Sequence, residues 1–215
     1  MHGCAASIRP QITDLRGTAL RFLLVGAMLL TISVVALRPL DELLLPVIAR
    51  EVAALDHNVL IDGLELGADE SGENVRLRAN LRAPLYLRSG TVYPLGWLPG
   101  TNGWYQVRLS AFGMLQAPLL FLIGLLGWRA RSAREALLRA ACGTPLLAIL
   151  IAVDAPLDLL GNFRDRILRD ARVPQWDPLF IWDRFLEGGG GAVLAVAFAL
   201  IAIAAGLRFS RPYAT

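Results

Sequence analysis

The chain has 215 residues, 55% of them apolar and 18% charged, with a mean hydropathy of +0.52. That balance excludes an ordinary soluble globular domain and predicts an integral membrane protein. The formal charge of +3 is carried by arginine alone with no lysine, and no run of five or six basic residues occurs, so nucleic acid is excluded as a partner.

A membrane crossing takes roughly 20 mostly apolar residues to span about 30 Å of hydrocarbon. Four stretches approach that length, and they divide the chain into a segment 1–21, spans at 22–38, 109–128, 140–160 and 188–207, connections at 39–108, 129–139 and 161–187, and a tail 208–215. The expected fold class is therefore a mainly α membrane protein of four transmembrane helices, with a small β-rich extracytoplasmic domain between the first and second. The first span lies between Arg21 and Arg38, whose long side chains can reach toward headgroups and extend it. Val34 and Ala36 also have the small-residue spacing of a signal-peptidase site. The long apolar run and the 21 residues before it favour a retained anchor instead.

The connection 39–108 opens with Leu44, Val47, Ile48, Val52 and Leu55 near helical spacing, which predicts an amphipathic helix running on from the membrane and broken or bent at Pro46. Beyond it Val75, Leu77, Ala79 and Leu81 alternate with Arg76, Arg78, Asn80 and Arg82, the pattern of a half-buried strand. With residues 58–66 it makes a hairpin. A third strand is expected within 84–95, and residues 104–109 make a fourth that feeds the second span. At about 70 residues this piece has a marginal core of its own and must lean on the membrane or a partner. Trp97, Trp104 and Tyr105 gather just before the second span, as in an interfacial aromatic belt or a docking surface for a partner.

The link 129–139 carries Arg129, Arg131, Arg134 and Arg139, and the segment before the first span carries Arg9, Arg16 and Arg21. The positive-inside rule then predicts cytoplasmic termini. Cys4 and Cys142 fall on or near that reducing side, so no disulfide is expected.

Asp154 and Asp158 enter the third span before its apolar run ends. Four residues apart, they share a helix face about 21 to 27 Å from the cytoplasmic end, near the outer interface. Arg164 and Arg166 follow as possible ion-pair partners, and the four residues form a candidate intramembrane polar site. Termination of the span, contact with a partner and proton handling are the readings open for it. The connection 161–187 then offers Trp176 and Trp182 among aromatics suited to an interfacial helix or a peptide shelf. Gly188 to Gly191 lack a phosphate-binding pattern and suit close helix packing.

Catalytic motifs are thin. With only His2 and His57 in the chain, a multi-histidine metal centre is excluded, and neither G-x-S-x-G nor H-E-x-x-H occurs. No catalytic residue, cofactor site or metal site is assigned. The layout, with one short span, an outer β piece reading VRLRANLRAPLYLRSGTVYPL and further spans after APLLFLIGLLGW, resembles the small membrane proteins that accompany bacterial exosortases, particularly the exosortase H-associated type. That resemblance implies a noncatalytic helper in surface-protein sorting, with the lipid bilayer and a larger membrane protein as its partners. The alternative is a small transporter or membrane-embedded enzyme that uses Asp154 and Asp158.

Overall fold

A computed structural model describes residues 9–70, 72–82, 85–86, 92–93, 104–170 and 178–210. The structure is mainly helical, with a small antiparallel sheet seated at one end of a helical bundle. Its first element, α1 (Arg9–Leu55), is one helix of 47 residues that carries Pro39 and Pro46 inside it. At 1.5 Å per residue it is about 70 Å long, more than twice the hydrocarbon thickness. Of the break or bend expected at Pro46, the break does not occur: the span and the amphipathic helix after it are continuous, because Ile48 and Val52 are fully buried and hold the last turns in place.

Asp56 ends α1. Its backbone N–H donates to the Val52 carbonyl at 3.1 Å, and its Oδ1 accepts from the Asn58 N–H at 3.0 Å, closing a local turn that aims the chain into β1 (Val59–Asp69). β2 (Gly72–Leu81) returns antiparallel to it with a register shift between Ile61 and Gly63. Gly72 takes φ 111° at this turn, a conformation that other residues adopt only at a steric cost. The predicted alternation holds, since Val75, Leu77, Ala79 and Leu81 are all buried. β3 (Leu85–Tyr86) and β4 (Val92–Tyr93) form a separate two-stranded pair within the stretch expected to give one strand.

β5 (Tyr105–Ser110) pairs with β2, giving the order β1-β2-β5. It passes without a loop into α2 (Ala111–Gly127), whose first turn is capped by Ser110 Oγ accepting from the Gly113 N–H at 3.3 Å. After a short link, α3 (Ala133–Asp170) starts at a second serine cap, where Ser132 Oγ accepts from the Glu135 N–H at 3.1 Å. Arg139 packs back on this link. It pairs with Glu135 in a buried ion pair and donates to the Trp128 carbonyl at 3.0 Å, satisfying an end that α2 leaves open.

α3 runs through Pro145, Pro156, Asp154 and Asp158 and ends only at Asp170, so the carboxylates do not terminate it. α4 (Pro178–Phe185) is a single short helix, followed by a π-helical turn over Leu186–Gly190 and by α5 (Gly191–Ser210). Gly189 adopts φ 98° inside that turn.

Two apolar clusters hold the molecule together. One joins Ile48 and Val52 of α1 to the inner face of the sheet and to Leu159, Leu160, Phe163 and Ile167 of α3. The other lies between α2, α3 and α5 around Phe121, Leu150, Ala195 and Ala199. The β piece thus leans on the bundle, with Tyr105 meeting Phe163 edge to face at 5.8 Å between ring centres. Three helical stretches, Arg16–Leu55, Ala133–Arg169 and Ile181–Phe209, are long and apolar enough to cross a membrane, and Ala111–Gly127 is a shorter apolar helix.

Candidate functional site

The helical repeat decides which predicted site residues meet. Asp154, Asp158 and Asn162 follow at intervals of four on one face of α3, and Asn162 Nδ2 donates to Asp158 Oδ1 at 2.8 Å. The same amide donates to Asp183 Oδ1 of α4 at 3.2 Å. Gly161 makes that approach possible, because any side chain there would collide with Asp183.

Arg164 stands six residues past Asp158, about 600° around the helix, and so points away from the carboxylate face. Its guanidinium pairs instead with Asp56, with Nε donating to Oδ2 at 3.2 Å, and both side chains are nearly buried. Arg166 is exposed, and among the described residues it pairs with no carboxylate. The expected grouping of Asp154 and Asp158 with Arg164 and Arg166 is therefore not formed: Arg164 is turned off the carboxylate face to Asp56, while Arg166 continues the series of four but stands eight residues, about 12 Å, beyond Asp158 and lines a different cleft.

A cavity of about 170 Å³ lies beside the acids, lined by Gln116 of α2, Asp154 and Asp158 of α3, and Glu187, Gly189 and Gly191 at the entry to α5. Gly191 lets α5 pass close to Asp154, since a Cβ there would stand 3.0 Å from Asp154 Oδ1. The glycine run thus has two uses, a positive-φ turn at Gly189 and a close approach at Gly191. Three carboxyl groups and one amide surround this small polar pocket. Among the described residues no set of three or more His, Cys, Asp or Glu has the arrangement of a metal site.

The aromatic candidates separate as well. Tyr105 is buried in the core, while Trp104 is half-buried on the opposite face of the sheet, where the Arg78 guanidinium lies 5.5 Å from its ring centre. Trp182 packs on Phe185 at 5.3 Å, and its buried indole N–H has no acceptor among the described residues. Trp97, Trp176 and Cys4 lie outside the described residues. Cys142 is a free, half-buried thiol on α3, and His57 is exposed just beyond α1.

Asn162, Asp183, Gln116, Glu187 and Asp56 were not among the sequence candidates. Only Asn162 had a readable signal, its spacing of four from Asp158; the others come from elements distant in the chain. No protein-family model, curated protein or solved structure matches this chain.

Proposed function

We propose that the protein is a noncatalytic accessory subunit of a bacterial inner-membrane system, whose α1 holds a larger membrane protein. The observation that carries this reading is the apolar surface of α1 beyond its span. Leu43, Val47 and Leu55 are 70%, 45% and 49% exposed. They lie 5 to 17 residues past Arg38, which is about 8 to 25 Å farther along the helix. Lipid tails reach the exposed leucines and valines between Leu20 and Val35, but the later ones rise above the hydrocarbon and need another protein to cover them. The Arg38–Glu42 ion pair, exposed at 3.0 Å, suits the level where the helix leaves the lipid.

In this reading the chain crosses four times, α2 included. Its 17 residues give about 26 Å, and Trp128 follows at the headgroup level. Arg129 and Arg131 on the link between α2 and α3, and Arg134 in the first turn of α3, are exposed and favour a cytoplasmic position for this end. The layout resemblance to exosortase-associated proteins makes surface-protein sorting the system of first choice.

Purification of the tagged full chain in mild detergent, beside a Leu43→Glu, Val47→Glu variant, tests the reading. The native chain is expected to bring down a multi-span protein that the variant loses while still eluting as a folded species. Equal recovery by both would refute it.

A second reading, a small transporter or membrane enzyme, draws on the cavity at Asp154 and Asp158. It requires that Asp154→Asn abolish the activity of the system while leaving expression and partner recovery intact.

A further inference from the structure

The open edge of β5 and the last turns of α3 enclose a cleft of about 610 Å³, lined by Gln106, Arg108, Asn162, Asp165, Arg166 and Arg169 among others. Three arginines and one carboxylate, Asp165, line it, and Asp69 pairs with Arg108 from beside the lining, so three guanidinium groups stand against two carboxylates and leave a net charge of three minus two, or +1. Their donors are only partly used. Arg108 gives Nη1 to Asp69 at 3.1 Å, and Arg169 pairs with Asp165 through Nη2. Each guanidinium has five N–H donors in a rigid fork, which leaves several on both. Arg166, exposed on the wall, makes no ion pair among the described residues.

Position along the two helices sets the level of this cleft. Arg108 comes three strand residues before α2 begins, about 10 Å along the chain. Arg166 and Arg169 come six and nine residues after the apolar run of α3 closes near position 160, about 9 and 13 Å. Headgroups occupy roughly the first 5 to 7 Å outside the hydrocarbon. Arginine side chains bend toward that layer, and guanidinium forks match phosphate oxygens in pairs.

We propose that this cleft binds the phosphodiester headgroup of an anionic phospholipid from the leaflet on the side of the sheet. The proposal rests on α2 and α3 crossing the membrane and is independent of any protein partner on α1. A bound headgroup would bridge β5 and α3, which also meet through Tyr105 and Phe163.

The full chain in neutral detergent, given equal amounts of phosphatidylglycerol and phosphatidylcholine at low salt, is read by native mass spectrometry. It is expected to retain phosphatidylglycerol preferentially. Arg166→Gln, on an exposed side chain, is expected to reduce that retention about fivefold, equivalent to about 1 kcal/mol for one basic residue near a charged surface. Arg166→Lys, which keeps the charge but not the fork, should fall between them. Arg50→Gln removes the same charge from an exposed site on α1 outside the cleft and should leave retention unchanged. Equal retention by the native chain and Arg166→Gln, or an equal loss in Arg50→Gln, would overturn the proposal. Displacement of the lipid by inorganic phosphate, or by an acidic peptide at matched concentration, would also overturn it, by assigning the cleft to a soluble anion or to a protein segment.

Discussion

Asp56 serves two structures at the point where α1 ends. One oxygen closes the turn into β1 by accepting from Asn58, and the other receives the Arg164 guanidinium from α3. Because both side chains are nearly buried, removal of one partner strands the other in a poorly solvated place. Arg164→Gln is expected to destabilise the fold by about 3–5 kcal/mol, and Asp56→Asn by less because the amide oxygen can still accept. A double-mutant cycle on detergent-solubilised protein checks this: the double variant should lose far less than the sum of the single ones. Asp41 presents the reverse case. It is fully buried, and neither of its oxygens has a partner among the described residues. Replacing an unpartnered buried carboxylate with a neutral amide should stabilise the protein, by about 1–3 kcal/mol. A rise in unfolding midpoint for Asp41→Asn would agree, and a fall would show that the carboxylate has a required partner. The pairing of Arg164 with Asp56 could not be read from the sequence, since 108 positions separate them. Its failure to meet Asp158 could have been read, because six helical residues turn a side chain away.

Among the elements, the hairpin was the most legible, because alternating burial is imposed by the pleat and leaves a period of two in the sequence. The continuity of α1 and α3 was less so. Pro46 and Pro156 signal helix ends in water, yet both helices run on through them, Pro156 on a buried face of α3 and Pro46 on an exposed face of α1 two residues before the buried Ile48. The expectation of a helix broken at Pro46 gave proline more weight than the packing of Ile48 and Val52 allowed, while Asp154 and Asp158 do not end the helix but stand just before its apolar run closes near position 160. The glycines show how tightly the helices are set. A Cβ on Gly124 of α2 would stand 2.9 Å from the Ala199 Cβ of α5, too close for two helix-borne carbons. Gly124→Ala should therefore cost about 1–3 kcal/mol through forced separation of α2 and α5. Gly26→Ala on α1 meets only the Ile123 methyl at 3.7 Å and should be neutral or stabilising, by up to about 1 kcal/mol, since alanine is the better helix former. Thermal unfolding of the two variants side by side should give shifts of opposite or clearly unequal size.

At the level of the whole molecule, one buried cluster spans the sheet, α1 and α3, so the β piece and the bundle should unfold together. Its membrane character was legible from composition alone, while the way the sheet rests on α3 was not, because of its supporting residues Leu159 reads as the end of a span and Phe163 and Ile167 as part of the connection after it. The same arrangement separates two surfaces: the sheet with its arginine cleft at one end of the bundle, and the link between α2 and α3 at the other. The most direct test is side-specific labelling. With Cys4 and Cys142 replaced by serine, single cysteines at Glu65 in β1 and at Arg131 in the link would be treated in intact cells with a membrane-impermeant maleimide. Labelling at position 65 without permeabilisation, and at position 131 only after it, is the expected result. Labelling of both positions from the same side would contradict a bundle that crosses the membrane between the sheet and the link.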